Sequence, residues 1–229
     1  MSLGRPVSLI GVDSRAPDPA LPRAAIDAAV SAERVALAGF VAELDEAQWS
    51  TESLCEAWTV RDVIAHLTVT TRLSVLRVVV AAVRARGSFD RMEVNLAASR
   101  ASRHSNSELV AQLRESAGSQ RRTPGSTPMD PLMDLVIHAQ DVARPLGLPY
   151  TSPPEVVAAS LAYVARNKFM GGPRRLAGVR AVSTDTGWSL GEGPEVHGPD
   201  IDLLLAVAGR PAALDALSGP GVQRLASQL

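Results

Sequence analysis

The sequence predicts a mainly α-helical protein, in which an antiparallel four-helix bundle is followed by a small α/β domain. Apolar residues recur at helical spacing in long segments between residues 20 and 150. Helix-capping residues stand at the start of several of these segments. Beyond Pro149 the pattern changes to shorter helices and alternating, strand-like runs. The chain has 229 residues, 46% of them hydrophobic, which is enough to fill a core of this size.

The chain is predicted to have three parts. Residues 1–20 are rich in Pro, Gly and Asp, and we expect them to form a flexible arm. We assign residues 21–150 to the helical bundle and residues 151–229 to the α/β domain.

The first two helices are predicted from apolar spacing and capping. Helix one covers residues 21–44, where apolar side chains repeat at helical spacing. Helix two begins after Thr59, which can cap it, with Asp62 at its third position. It is expected to cover residues 59–86 and to stop at Gly87.

The third and fourth helices complete the predicted bundle. The segment 88–118 fits one long helix or two shorter ones, because Ser105 begins a capping-box pattern in its middle. The fourth helix is predicted to start with Asp130 as its cap and Pro131 at its first position. We expect it to end at Gly147.

The last part of the chain alternates between helical and strand-like patterns. A helix should begin at the capping pattern near Ser152, and strand-like alternation follows on both sides of a Gly-containing turn. Short helices come last. The predicted elements are a helix over 152–169, strands over 176–184 and 188–190, and helices over 200–208 and 211–217.

Composition and charge exclude several classes of protein. The chain has 23 basic and 24 acidic residues, so its formal charge of -1 gives no electrostatic reason to bind nucleic acid or an anionic membrane. The single cysteine, Cys55, excludes an internal disulfide and suits a reducing compartment. We interpret Cys55 as a packing residue. No signal peptide or membrane span is evident, and we expect a cytoplasmic monomer or homodimer.

Two predicted helices carry residues that can bind a metal ion. On helix four, Asp134, His138 and Asp141 share one stripe with apolar flanks, and His66 lies on an apolar face of helix two. Burying a carboxylate with an imidazole is costly unless each is paired, and a divalent cation would offset that cost. His66, Asp134 and His138 can therefore meet as three metal ligands. The alternative is a simple ion pair between Asp134 and His138, stabilising by about 0.2–0.5 kcal/mol.

Four segments together resemble a known family. Residues 54–67, LCEAWTVRDVIAHL, resemble the metal-binding signature of the mycothiol-dependent maleylpyruvate isomerase family, which belongs to the DinB-like four-helix bundles. Residues 134–147, DLVIHAQDVARPLG, resemble the helix that supplies the other two ligands in that family. Residues 183–194 and 203–217 resemble the C-terminal domain of its relatives.

The resemblance implies a metal site and a thiol cosubstrate. His66, Asp134 and His138 would bind a divalent metal, with zinc as first choice and nickel or iron as alternatives. The thiol of mycothiol would take an open position on the metal and attack a small electrophile, which makes the protein an isomerase or an S-transferase. The isomerases have glutamate where this chain has Asp134, and the shorter side chain can move the metal.

Further residues are candidates for roles near the metal. Gln140, Asp141 and Arg144 follow His138 on the same helix and can orient a ligand or bind substrate. The arginines that could bind a substrate carboxylate, or else remain solvated surface charges, are Arg144, Arg174, Arg175 and Arg180. Two other functions stay open: a non-catalytic metal- or ligand-binding DinB-like module, and a thiol-independent metal hydrolase.

Overall fold

The computed structural model describes residues 19–72, 89–122 and 125–229. Within these ranges, seven helices precede the C-terminal region or link to it. They are α1 (Arg23–Ala42), α2 (Glu46–Trp49), α3 (Val60–Arg72), α4 (Phe89–Ala101), α5 (Asn106–Glu115), α6 (Met129–Ala143) and α7 (Pro154–Arg166). The remaining elements are α8 (Gly172–Arg175), β1 (Arg180–Ser183), β2 (Ser189–Gly191), β3 (Glu195–Gly198), α9 (Asp200–Val207), a 3-10 helix (Pro211–Ala216) and α10 (Val222–Ala226).

The bundle is built from α1, α3, α5 and α6. α1 packs against α5 and α6, and α3 packs against α4, α5 and α6. Each of the four helices contributes a large apolar side chain with no exposed surface; these are Leu37, Ile64, Leu109 and Leu132. Burying such a side chain is favourable by about 1.5–3 kcal/mol. The predicted fold class is confirmed: a helical bundle is followed by a small sheet.

Capping explains where two of the bundle helices begin. Thr59 and Asp62 bond reciprocally at the start of α3, as predicted, since the backbone N–H of Thr59 donates to Asp62 Oδ2 at 3.0 Å. The predicted end of this helix lies outside the described residues, as does most of the predicted N-terminal arm. Ser105 and Glu108 form a full capping box at the start of α5. The segment 88–118 therefore forms two helices rather than one.

The start of α6 differs from the prediction. Asp130 is not the cap but lies in the first turn, and Pro128 takes the cap position. The Asp130 carboxylate instead accepts hydrogen bonds from the backbone N–H of Thr127 and from the hydroxyl of Tyr163 on α7. The local sequence pattern does not indicate the bond between Asp130 and Tyr163.

The C-terminal sheet has the strand order β2-β1-β3, with β1 antiparallel to β2 and parallel to β3. The predicted first strand was too long, because residues 176–178 form a turn and β1 begins only at Arg180. The strand β3 was not predicted. Its sequence places only Val196 as a buried apolar side chain between charged and polar neighbours, so it has no clear alternation.

The two regions share one apolar core. α7 packs against α6 on one side and against α9 on the other. A single cluster of buried apolar residues extends from Ile26 to Leu225. The division into domains at residue 150 stays a prediction. Among the described residues, no helix is both long and apolar enough to cross a membrane.

Replacing a core leucine of α1 should destabilise the protein far more than replacing an exposed valine nearby. Leu37 is fully buried and Val35 is 49% exposed. We expect Leu37→Ala to lower the free energy of unfolding by about 2–5 kcal/mol, because it leaves a cavity. Val35→Ala should change it by less than about 0.5 kcal/mol. Urea denaturation followed by circular dichroism measures both values. Equal effects would contradict the packing of α1.

Candidate metal centre

Helices α3 and α6 bring the three predicted ligand residues together. Nε2 of His66 lies 3.5 Å from Oδ2 of Asp134, and Nε2 of His138 lies 3.3 Å from Oδ1 of Asp134. The two imidazole rings are 5.1 Å apart between centroids. All three potential ligand atoms lie within 4.8 Å of one another. The predicted cluster thus exists in the fold, and its role in metal binding stays a prediction.

Trp58 forms one wall of this cluster. Its ring stacks on His138 with an interplanar angle of 18° and a centroid distance of 6.3 Å, and it also contacts His66 at 5.1 Å. The preceding residue, Ala57, has φ of 63°, in a left-handed region that residues other than glycine seldom adopt. This turn precedes α3 and places the indole beside both imidazoles.

Asp141 lies on the opposite side of the His138 ring from Asp134. Its Oδ2 is 2.8 Å from Nδ1 of His138, and its side chain has no exposed surface. Arg210 pairs with both carboxylate oxygens, through Nε at 3.1 Å and Nη2 at 2.8 Å. The thiol of Cys55 also donates to Asp141 Oδ2 at 3.1 Å. The Asp141 carboxylate therefore contacts the Nδ1 edge of the His138 ring, and Arg210 in turn pairs with that carboxylate.

Electrostatics favour a charged cluster when no cation is bound. Burial works against the ionised form of Asp134, but the charge and hydrogen bonds of His138 and His66 outweigh it and hold the pKa of Asp134 below 3.8. Burial likewise opposes ionisation of Asp141, and His138 with Arg210 lowers its pKa. The pKa of His138 is raised well above 6.5, because Asp134 and Asp141 outweigh the effect of burial. A metal would have to displace a proton from His138.

The geometry of the donors fits a divalent metal. Two imidazole nitrogens and a carboxylate are a common zinc ligand set, with bonds of about 2.0–2.2 Å. Ligand atoms on a tetrahedral ion at such distances are about 3.3–3.5 Å apart. The candidate ligand atoms, one from each residue, lie within 4.8 Å of one another, so small side-chain shifts would bring them onto one ion. The bond from His138 Nδ1 to Asp141 is the outer contact that metal-bound histidines usually make.

A second cluster, Cys55, His138 and Asp141, is also compact enough to hold a metal. It is a poor cation site, because the guanidinium of Arg210 already pairs with both oxygens of Asp141 and lies 3.4 Å from Cys55 Sγ. The metal position between His66, Asp134 and His138 fits better.

The other predicted candidates have different partners. Gln140 donates to the carbonyl of Tyr150 at 3.0 Å and accepts from Nε of Arg144 at 3.0 Å. Arg144 also pairs with Asp202 of α9 at 2.7 Å. Of these three residues, Asp141 contacts one of the candidate metal ligands, His138. Catalytic roles for these three residues stay predictions.

Two residues near the metal ligands were missed by sequence reasoning. Cys55, interpreted there as a packing residue, does pack against the core, and its thiol also lies 3.7 Å from His138 Nδ1. Arg210 was not considered, because one arginine after a short helix carries no periodic signal. The other C-terminal arginines interact elsewhere: Arg174 with the Gln228 carbonyl, Arg175 with the Met170 and Val207 carbonyls, and Arg180 with the Ser189 hydroxyl.

A small cavity of about 60 Å³ lies between α1 and the segment that joins α5 to α6. The buried side chain of Arg34 lines it and donates to the carbonyls of Ser116 and Ser119 at 2.7 and 2.8 Å. None of the three ligand candidates lines this cavity. We therefore separate it from the metal centre.

The fold and the site define a class of protein: a helical bundle with a histidine–carboxylate cluster between two of its helices, followed by a small sheet. Within this class, residues 30–130 match the family model of the mycothiol maleylpyruvate isomerase N-terminal domain. This part of the chain belongs to that family. The matched segment includes His66 and ends before Asp134.

Solved structures share the overall fold of this chain. A crystal structure of the mycothiol-dependent maleylpyruvate isomerase superposes with a TM-score of 0.62, and one of its histidine-to-alanine mutants with 0.58. Each is 15% identical to this chain and covers 87% of it, and the match spans 93% of the solved chain. At this identity the likeness shows a shared fold. No curated protein matches the sequence.

The stability of the metal-free protein should fall as the pH rises above 6.5. The raised pKa of His138 stabilises the fold fully below the ordinary value of 6.5, and this contribution is lost as the pH rises through the folded-state pKa. The lowered pKa values of Asp134 and Asp141 act oppositely: their contribution is present above 3.8 and is lost in acid. Urea denaturation of chelator-treated protein across this range measures the slope.

A variant of Asp141 provides the control for this pH dependence. Asp141→Asn removes one of the carboxylates that favour protonated His138, so the loss of stability above pH 6.5 should be smaller and should be complete at a lower pH than in the native chain. Nuclear magnetic resonance titration of His138, assigned with a His138→Gln variant, follows the same group directly. A His138 midpoint at or below 6.5 in the native chain would contradict the described electrostatics.

Proposed function

We propose that this protein is a divalent-metal-dependent enzyme that uses mycothiol as a thiol cosubstrate and acts as an isomerase or S-transferase on a small electrophile. The observation that carries the proposal is the convergence of His66, Asp134 and His138 from α3 and α6. The family of residues 30–130 supports mycothiol as the thiol. The proposed partners are small molecules, and the proposed setting is the cytoplasm, as a monomer or homodimer.

His66, Asp134 and His138 would hold the metal. Three protein ligands leave a coordination position open, which is typical of catalytic zinc sites. Imidazole also suits nickel and iron, so these remain alternatives. A bound divalent cation supplies a Lewis acid that favours the thiolate form of a thiol near neutral pH. Trp58 covers one side of the cluster with an apolar ring and so limits the access of water.

The proposed chemistry is addition of the thiolate to an electrophilic carbon. In a cis-enoyl substrate, this addition turns the carbon–carbon double bond into a single bond and places the electron pair on the adjacent activated carbon. Rotation about the single bond and expulsion of the same thiolate restore the double bond in the trans form. When the adduct takes up a proton instead, the product is an S-conjugate and the enzyme is a transferase.

The aspartate at the metal site distinguishes this chain from the isomerases that it resembles, which have glutamate there. The carboxylate of Asp134 is 35% exposed, and each of its oxygens faces one of the two histidines. Because aspartate is one methylene shorter than glutamate, Asp134 would hold a metal closer to the α6 backbone. We infer that this shift alters which electrophile fits the open position.

The metal content of the purified protein tests the site. The native chain should retain about one zinc, nickel or iron ion per molecule after exposure to each metal, and both His66→Ala and His138→Ala should lose it. Inductively coupled plasma mass spectrometry on tag-free protein gives the ratio. His104→Ala is the matched control, since His104 lies near Gln112 and outside the cluster. Native protein that retains no metal would refute the site.

Turnover assays test the chemistry once metal is bound. The loaded protein should convert a maleylpyruvate-type substrate, or conjugate another small electrophile, only when mycothiol is present. His138→Ala should lose at least about 10²-fold in rate, because one metal ligand is missing. Turnover without thiol would instead identify a metal hydrolase. Metal binding with no turnover across a panel of electrophiles would identify a non-catalytic binding module.

A further inference from the structure

We propose that Arg210 is a positioning residue for the metal centre, which sets the orientation of the His138 imidazole through the buried carboxylate of Asp141. This inference rests on the proposed metal site. It assigns a role to the C-terminal region, because Arg210 follows α9 and contacts Asp141 of α6, 69 residues earlier in the sequence. Metal affinity would then depend on a residue that is not a ligand.

The contacts form a continuous chain from Arg210 to the metal ligand. Nε and Nη2 of Arg210 donate to the two oxygens of Asp141 at 3.1 and 2.8 Å, which is a bidentate pair. Oδ2 of Asp141 lies 2.8 Å from Nδ1 of His138. An ionised carboxylate only accepts hydrogen bonds, so Nδ1 must carry the proton of this bond. Nε2 of the same ring is thereby directed toward Asp134, where the metal would bind.

The backbone around Arg210 is well defined. The N–H groups of Gly209 and Arg210 donate to the carbonyls of Ala206 and Leu205, each at 2.9 Å, which is the Schellman pattern at the end of a helix. Gly209 has φ of 91°, as the pattern requires. The helix itself is anchored by fully buried leucines, namely Leu203, Leu204 and Leu205. The guanidinium of Arg210 is thus attached to a stretch of backbone, the end of α9, that has little freedom to move.

Cys55 completes the support of Asp141. Its thiol donates to Asp141 Oδ2 at 3.1 Å, and Nη2 of Arg210 donates to Cys55 Sγ at 3.4 Å. The backbone N–H of Leu54 donates to the carbonyl of Asp141 at 3.1 Å. The segment that carries Trp58 is therefore tied to the same aspartate as the C-terminal region.

The donor geometry assigns Arg210 a positioning role rather than direct binding of a substrate carboxylate. A guanidinium has five N–H donors. Nε bonds Asp141, Nη2 bonds Asp141 and Cys55, and Nη1 donates to the carbonyl of Ala208 at 2.9 Å. One donor is left, and the side chain is only 17% exposed. A substrate could bind Arg210 bidentately only by breaking the pair with Asp141.

Cobalt binding tests the proposal, because Co²⁺ in a histidine–carboxylate site has visible absorption bands that report ligand geometry. We expect Arg210→Ala to weaken Co²⁺ binding about 10–100-fold, the usual effect of losing an outer contact of a metal ligand, and to shift the bands. Arg210→Lys should restore part of the affinity, since lysine keeps the charge but loses the bidentate geometry. If Arg210→Ala does not fold, Arg210→Lys alone should still weaken binding and shift the bands.

The matched control is Asp202→Asn, which removes the other ion pair between α6 and α9, that of Asp202 with Arg144 at 2.7 Å. This variant should leave the Co²⁺ affinity and bands unchanged. An equal loss in Asp202→Asn would show that Arg210 merely docks the C-terminal region and would overturn the proposal. Unchanged Co²⁺ affinity and bands in folded Arg210→Ala would also overturn the positioning role of Arg210. That result would leave the metal site of the native chain unaffected.

A measurement on metal-free protein separates this inference from the proposed function. At a pH high enough for His138 to be neutral, its imidazole ¹⁵N shifts should indicate a proton held on Nδ1 in the native chain, and Arg210→Ala should change that pattern. Failure of the native chain to bind Co²⁺ would refute the metal site and the metal role of Arg210 together. Unchanged ¹⁵N shifts in Arg210→Ala would refute the positioning role even in a native chain that binds Co²⁺.

Discussion

The structure of the site depends on one buried carboxylate, that of Asp141. Its side chain has no exposed surface, and an unpaired charge in such a position would cost several kcal/mol. Arg210, His138 and Cys55 all contact its oxygens and offset this cost. These partners come from three separate stretches of the chain. Folding that pairs Asp141 with these groups therefore also positions the His138 imidazole.

The apolar bundle supplies the complementary constraint on the front of the site. His66 follows the fully buried Ile64 on α3, and His138 follows the buried Ile137 on α6. Because these neighbours must enter the shared core, the helices can adopt few rotations about their axes. The polar stripes of both helices then have to meet beside Trp58. Packing determines where His66 and Asp134 lie, and hydrogen bonding determines how His138 is turned.

Local patterns in the sequence predicted the parts of the molecule that depend on local physics. The caps at Thr59 and Ser105 and the helical spacing of Asp134 and His138 follow from rules that act over one helical turn. The apolar faces of the second and fourth predicted helices indicated the meeting with His66, and the resemblance to a known family supported it. Arg210 and the strand β3 were not predictable in this way, since both depend on contacts with distant segments. The same holds for the bond between Asp130 and Tyr163 on α7, which joins two separate helices.

The charges around His138 bear on the proposed binding of a cation followed by an anionic nucleophile. His138 lies between two carboxylates. In the described part of the chain, Asp141 forms an ion pair with an arginine, whereas Asp134 faces the two histidines. With neutral imidazoles, the pair of Asp141 and Arg210 is electrically balanced and Asp134 leaves one negative charge. A divalent cation would convert this to one positive charge, which a single thiolate neutralises. In the proposed site, Arg210 neutralises Asp141, so Asp134 is the carboxylate left uncompensated; a second such charge would disfavour an incoming thiolate.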